Sequence, residues 1–138
     1  MTKKELSQLY YLNREIVQLQ ARLSELEDLA TSSTQKITGM PFGTGVSDMV
    51  GRYATEIADL KALLDLNLKK CFYELNKLNH YIESVEDAQI RMILSLRYIN
   101  GLSWQQVAFS IGESDEQFPR RKHDKFLKQN ENLTKKTN

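Results

Sequence analysis

The sequence predicts an all-α protein: a long antiparallel helical hairpin, coiled-coil-like, followed by a C-terminal helix-turn-helix. Three observations predict it. Two stretches carry apolar residues in alternating steps of three and four, the period of a helix seam. Only 2 prolines and 6 glycines stand in 138 residues, so long helices meet few breaks. Residues 100–123, NGLSWQQVAFSIGESDEQFPRRKH, alternate helix-ending glycines with helix-starting serines and then turn basic.

The first helix is read from Leu9, Leu12, Ile16, Leu19, Leu23, Leu26 and Ala30, with polar residues between them. No glycine or proline interrupts residues 2–30, giving a helix about 43 Å long at 1.5 Å per residue. Residues 31–47, TSSTQKITGMPFGTGVS, read as a loop, with Gly39, Pro41, Gly43 and Gly45 as its punctuation. Ser47 or Asp48 is the expected N-cap of the second helix. That helix repeats the seam at Val50, Tyr53, Ile57, Leu60, Leu64, Asn67 and Cys71. It continues through Leu75, Leu78, Ile82 and Val85 after a stutter at Cys71.

In an antiparallel pair, opposing positions have a constant sum of residue numbers. A sum of 83 sets Leu26 on Ile57, Leu23 on Leu60 and Leu19 on Leu64. A sum of 76 shifts the pairing by one heptad and fits nearly as well. Asn67 either specifies register or partner from inside the seam or reaches solvent at its edge. Apolar residues off the seam (Tyr10, Val17, Leu63, Leu66, Leu68, Phe72) widen the apolar face beyond a two-stranded interface. A second copy of the chain is the simplest cover. A homodimer or higher homo-oligomer is therefore expected, held by Leu9, Leu12, Ile16, Leu19, Leu23, Leu26, Ile57, Leu60 and Leu64. Residues 1–85 form this oligomerisation region, 86–130 the helix-turn-helix, and 131–138 a flexible tail.

The C-terminal region opens with Ile90, Ile93, Leu94, Leu96 and Ile99 at helical spacing, stopped by Gly101 after Asn100. Ser103 and Gln106 have capping-box spacing and start a helix at Trp104. Val107, Ala108 and Ile111 form its inner face, Phe109 lies on its outer face, and Gly112 ends it. Ser114 and Gln117 repeat the capping-box spacing before the last helix, which Phe118 is expected to anchor. Two helices joined by a short glycine-containing turn, the second one basic, have the outline of a helix-turn-helix.

Charge agrees with that outline. The formal net charge is only +1, but residues 117–138 hold 7 basic side chains against Asp124 and Glu131. A solvated basic tail is the plainer account of such a cluster; a field for phosphate is the other. No window of 18 apolar residues spans a membrane, and MTKKELSQLYYLNREI lacks the apolar core of a signal peptide. Cys71, the single cysteine, suits a reducing cytoplasm as a structural thiol. One cysteine and two histidines cannot build a zinc finger. GMPFGTG lacks the Lys-Ser/Thr of a phosphate loop, and no carboxylates converge. No enzyme, metal or cofactor is expected.

Leu96, Arg97, Tyr98, Gly101, Ser103, Val107, Ala108, Gly112, Ser114, Arg121 and His123 fall in step with region 4 of bacterial sigma factors. The resemblance covers roughly residues 87–127. The whole chain, including ITGMPFGTGVSD and CFYELNKLNHYIESVED, resembles small phage and prophage proteins of Gram-positive bacteria. Those are similar to RinA/ArpU-type late transcription regulators. The resemblance implies a transcription regulator in the bacterial cytoplasm that binds double-stranded DNA, with RNA polymerase as a further candidate partner. Its DNA-contacting set would be Ser103, Gln105, Ser114, Glu116, Gln117, Arg120, Arg121, Lys122, Lys125 and Lys128. Two departures stand out. Lys122 replaces an apolar residue, and Pro119 falls where the family's helix is continuous. Proline inside a helix costs about 3 kcal/mol, a penalty that largely vanishes if the helix begins one turn later. Arg120 and Arg121 either fork onto guanine or phosphate or pair with Asp115, Glu116 or Asp124. His123 is read as approaching a phosphate or as a plain surface histidine, and Trp104 as packing. Alternatives are a small DNA-packaging (terminase) subunit and an interaction protein docking on RNA polymerase.

Overall fold

The computed structural model describes the backbone of residues 1–37 and 44–138 and the side chains of residues 1–32 and 49–138. Among them every regular element is helical: α1 (Lys3–Leu6), α2 (Gln8–Ile37), α3 (Thr44–Glu83), α4 (Ala88–Leu94), a π-helical turn (Ser95–Ile99), α5 (Trp104–Ser110) and α6 (Gln117–Thr137). Two compact units result, one of Met1–Tyr11 with Cys71–Asn138, the other of Leu12–Lys70.

In the Leu12–Lys70 unit, burial follows the seams residue by residue. Leu12, Ile16, Leu19, Leu23, Leu26 and Ala30 are shielded on α2, and every residue between them is exposed. On α3, Val50, Tyr53, Ile57, Leu60, Leu64 and Asn67 are shielded with the same exclusivity. The heptad period alone fixes which stripe of each helix leaves water. Asn67 is buried, so it does not reach solvent at a seam edge. A bridge between Glu27 and Lys61 (3.7 Å) lies outside the apolar stripe.

Both ends of the expected loop at residues 31–47 are helical. Residues 31–37 continue α2, and α3 begins at Thr44 rather than at Ser47 or Asp48. Of the expected loop glycines and proline, Gly39, Pro41 and Gly43 lie outside the described residues. The Thr and Ser run does not stop α2 because extending an existing helix is cheap. Thr31 answers its own polar demand by donating its hydroxyl to the Glu27 carbonyl (2.8 Å). At the other end, Thr2 and Glu5 form a reciprocal capping box that starts α1.

The other unit is built round Leu6, Leu9, Leu78, Ile82, Val85, Ile90, Leu94, Tyr98 and Leu127. Met1–Tyr11 and the end of α3 thus share a core with α4 and α6. Asp87 caps α4, accepting from the backbone N–H groups of Gln89 (2.8 Å) and Ile90 (3.2 Å). The Ile90 bond is the main reason its carboxyl titrates below the usual range, with Lys122 adding to the effect. Arg91 donates to the carbonyls of Val85 (2.6 Å) and Glu86 (2.9 Å), locking the α3–α4 connection. Residues 131–137, expected as a flexible tail, continue α6.

Gly101 and Gly112 end their helices with φ of +68° and +82°, a region costly for any residue with a Cβ. Around Gly112 an added methyl would meet nothing within 4 Å, so Gly112→Ala isolates the backbone cost. It should lower stability by about 1 kcal/mol. Urea unfolding measures this; an unchanged midpoint would mean the turn relaxes freely.

Candidate functional site

α5 begins as expected. Ser103 accepts from the Gln106 backbone N–H (3.3 Å), and the Ser103 backbone N–H donates to Gln106 Oε1 (3.0 Å). Val107 and Ala108 are buried, Ile111 is half-buried, and Phe109 is 86% exposed.

α6 starts differently. Ser114 does not cap it; Glu116 stands at the N-cap without a side-chain cap bond, and Asp115 before it accepts from the Gln117 N–H through Oδ1 (3.0 Å) and from the Phe118 N–H through its carbonyl (3.2 Å). Regular helix begins at Gln117, so Pro119 sits in the first turn, where its missing N–H leaves no gap in the ladder. Pro119 is buried, and Phe118, expected as the anchor, is only half-buried. Phe118 instead flanks a groove of about 630 Å³ with Ile90 and Phe126. The inner stripe of α6 is Pro119, His123 and Leu127, each four residues from the next.

His123 is the largest departure from the sequence reading. It is neither a phosphate contact nor a surface residue but wholly buried. Its Nδ1 lies 2.9 Å from Asp124 Oδ1 and its Nε2 lies 2.6 Å from the Tyr98 hydroxyl. A carboxylate only accepts, so Nδ1 carries the proton and Nε2 accepts from Tyr98. Burial pushes the Tyr98 phenol up to about 12 and lowers the imidazole, the Asp124 carboxylate opposing the latter shift. Trp104 packs edge-on against the imidazole, 5.0 Å between centroids. Arg97 lies 4.7 Å over the Trp104 ring and donates to the Leu102 carbonyl (2.8 Å). The π-helical turn supplies both Arg97 and Tyr98, and its wider step is marked by the Asn100 N–H bonding back to Ser95 (3.1 Å). Trp104 is therefore packing, as expected. The signal that would have found His123 was the 119/123/127 stripe, hidden because RRKHDK reads as surface.

The outer face of α6 carries Gln117, Arg120, Arg121, Asp124, Lys125 and Lys128, all exposed. Arg121 is held by Asp115, Nη2 to Oδ2 at 2.6 Å, one of the pairings considered from sequence. No ion pair engages Arg120, Lys125 or Lys128 among the described residues. Lys122 turns inward, half-buried, to Asp87 (3.4 Å) and the Gln89 side chain, and its ammonium is committed to holding α6 against the start of α4. Ser103, Gln105, Ser114 and Glu116 are exposed around the α5–α6 turn. No three potential metal ligands gather among the described residues, and no described helix is long and apolar enough to cross a membrane. Comparison with protein-family models, curated proteins and solved structures finds no match to this chain.

Proposed function

We propose that the chain binds double-stranded DNA through a helix-turn-helix formed by α5 and α6, as a phage-type transcription regulator of the kind the sequence resembles. The observation that carries this reading is the exposed cationic row Arg120, Arg121, Lys125 and Lys128 on a helix whose opposite stripe is buried against α4 and α5. A helix about 10–12 Å across fits the major groove. Its first turns would present Gln117, Arg120 and Arg121 to base edges, while Lys125 and Lys128 would neutralise phosphates further along. Ser103 and Gln105 at the start of α5 would face the backbone. Lys122 is better assigned to positioning α6 than to DNA.

The test is a salt titration of duplex binding. The reading expects the logarithm of the affinity to fall linearly with that of the salt concentration, with a slope of about −2 to −4 for two to four neutralised phosphates. Absence of duplex binding at low salt would overturn it. A second reading, docking on a protein such as RNA polymerase, draws on Phe109, whose ring is 86% exposed. Phe109→Ser with intact duplex binding but lost transcriptional effect would favour that role.

The α2 and α3 seams are read as facing each other in an antiparallel hairpin. The Glu27–Lys61 bridge has a residue sum of 88. A register of 76 would separate these two by 12 residues along the axis, about 18 Å, too far for a contact of 3.7 Å. A sum of 90, one heptad beyond 83, leaves them within one turn. It sets Leu26 on Leu64 and Leu23 on the buried Asn67. Val17, Leu63, Leu66 and Phe72 stay largely exposed on one chain, and a second copy would cover them. Leu19→Asp with Leu60→Asp should give monomer or unfolded chain in sedimentation. A folded, unchanged oligomer would show that the seams do not hold it together.

A further inference from the structure

We infer that the cleft between α1–α2 and the α4–α5 connection binds a nucleotide unit, a nucleobase carrying a phosphate. The cleft lies within one compact unit and measures about 450 Å³, within the range of small-molecule sites. Lys3 and Arg97 contribute its charge, and no carboxylate among the described residues lines it. That selection is notable in a stretch, residues 86–116, with 5 acidic side chains against 2 basic ones. Lys3 makes no ion pair among the described residues, and Arg97 spends one N–H on the Leu102 carbonyl, leaving most of its fork for an anion. Gln106 uses Oε1 in the capping box, so its amide N–H groups remain to donate.

The other wall is aromatic. Tyr10 and Tyr11 meet edge to face, 5.4 Å between centroids, and Tyr11 is 59% exposed. An exposed ring beside paired cations suits a base that stacks while its phosphate is held. Tyr10 is fixed by packing on Gly101, where a Cβ would lie 3.7 Å from its ring. An inorganic anion would leave the tyrosines unused, and an uncharged aromatic compound would leave Lys3 and Arg97 unused. The nucleotide unit can be free or part of a strand, and the two sources separate by experiment.

Trp104 is the only tryptophan and lies 4.7 Å beneath Arg97, which makes its fluorescence a reporter of the cleft. The full chain is titrated with AMP, with adenosine and inorganic phosphate as controls, and separately with duplex DNA. Lys3→Ala and Tyr11→Ala are compared with wild type, both at exposed positions and checked for folding by circular dichroism. A free nucleotide is the occupant if AMP saturates the signal, each control binds at least about tenfold more weakly, and each variant weakens AMP about tenfold. A strand is the occupant if AMP fails but both variants weaken duplex binding by that factor. If neither AMP nor duplex binding responds to Lys3→Ala and Tyr11→Ala, the inference is overturned. Adenosine binding as tightly as AMP would overturn it too. Duplex binding that depends on Arg120 but not on Lys3 or Tyr11 would remove the strand source and leave the DNA-binding reading standing.

Discussion

His123→Ala should destabilise the fold by about 3 kcal/mol, measured by urea unfolding. The substitution strands the Tyr98 hydroxyl, which is buried and now donates to Nε2 at 2.6 Å. An unsatisfied buried hydroxyl costs about 1–3 kcal/mol, and the void left beside Trp104 adds about 1–2 kcal/mol. Asp124, 56% exposed, loses its partner to water at little cost. A loss below about 1 kcal/mol would mean that the cluster is not what holds α6 in place. His123→Gln keeps an acceptor for Tyr98 and should recover much of the stability. The same pair of proteins tests the titration. Burial lowers the folded imidazole below its ordinary value, so the unfolded chain takes up the proton first. Stability is then full above about pH 6.5 and falls as the pH drops toward the folded value. His123→Gln should flatten that part of the profile; an unchanged slope would assign it to other groups.

On duplex DNA, Arg120→Ala with Arg121→Ala should give the largest loss of affinity of any surface pair, about 2–6 kcal/mol if both read bases. The two are not equivalent in the free protein. Arg120 is exposed and outside any ion pair among the described residues, whereas on the proposed reading Arg121 would exchange Asp115 for DNA. That exchange costs little, because exposed pairs are worth about 0–1 kcal/mol. Asp115→Asn keeps an acceptor for the Gln117 N–H while removing the charge, and it should strengthen duplex binding several-fold. Lys125→Ala with Lys128→Ala should weaken all sequences alike and reduce the salt slope by about two. Lys122→Ala should leave the slope unchanged and reduce stability instead. A double arginine variant that binds operator and unrelated duplex as wild type does would leave the opening of α6 as a packed cap.

What the sequence determined by itself was the set of repeating constraints. The seams from Leu12 to Ala30 and from Val50 to Asn67 became the shielded stripes without exception, because helical period and apolar content decide burial locally. Gly101, Gly112 and the Ser103–Gln106 box ended and started helices as read, since positive φ and capping depend on a few neighbours. Tertiary structure decided whatever depended on a partner far along the chain. His123 is buried because Tyr98, 25 residues earlier, offers a hydroxyl and Trp104 a ring. Lys122 turns inward because Asp87 and Gln89 wait at the start of α4. Arg121 and Asp115 are near in sequence, yet which acid would capture which arginine followed from where α6 begins. That start was set by Pro119 packing into the core rather than by Ser114. Periodicity predicts which face of a helix leaves water; only the packed chain tells a polar side chain on that face what it will find there.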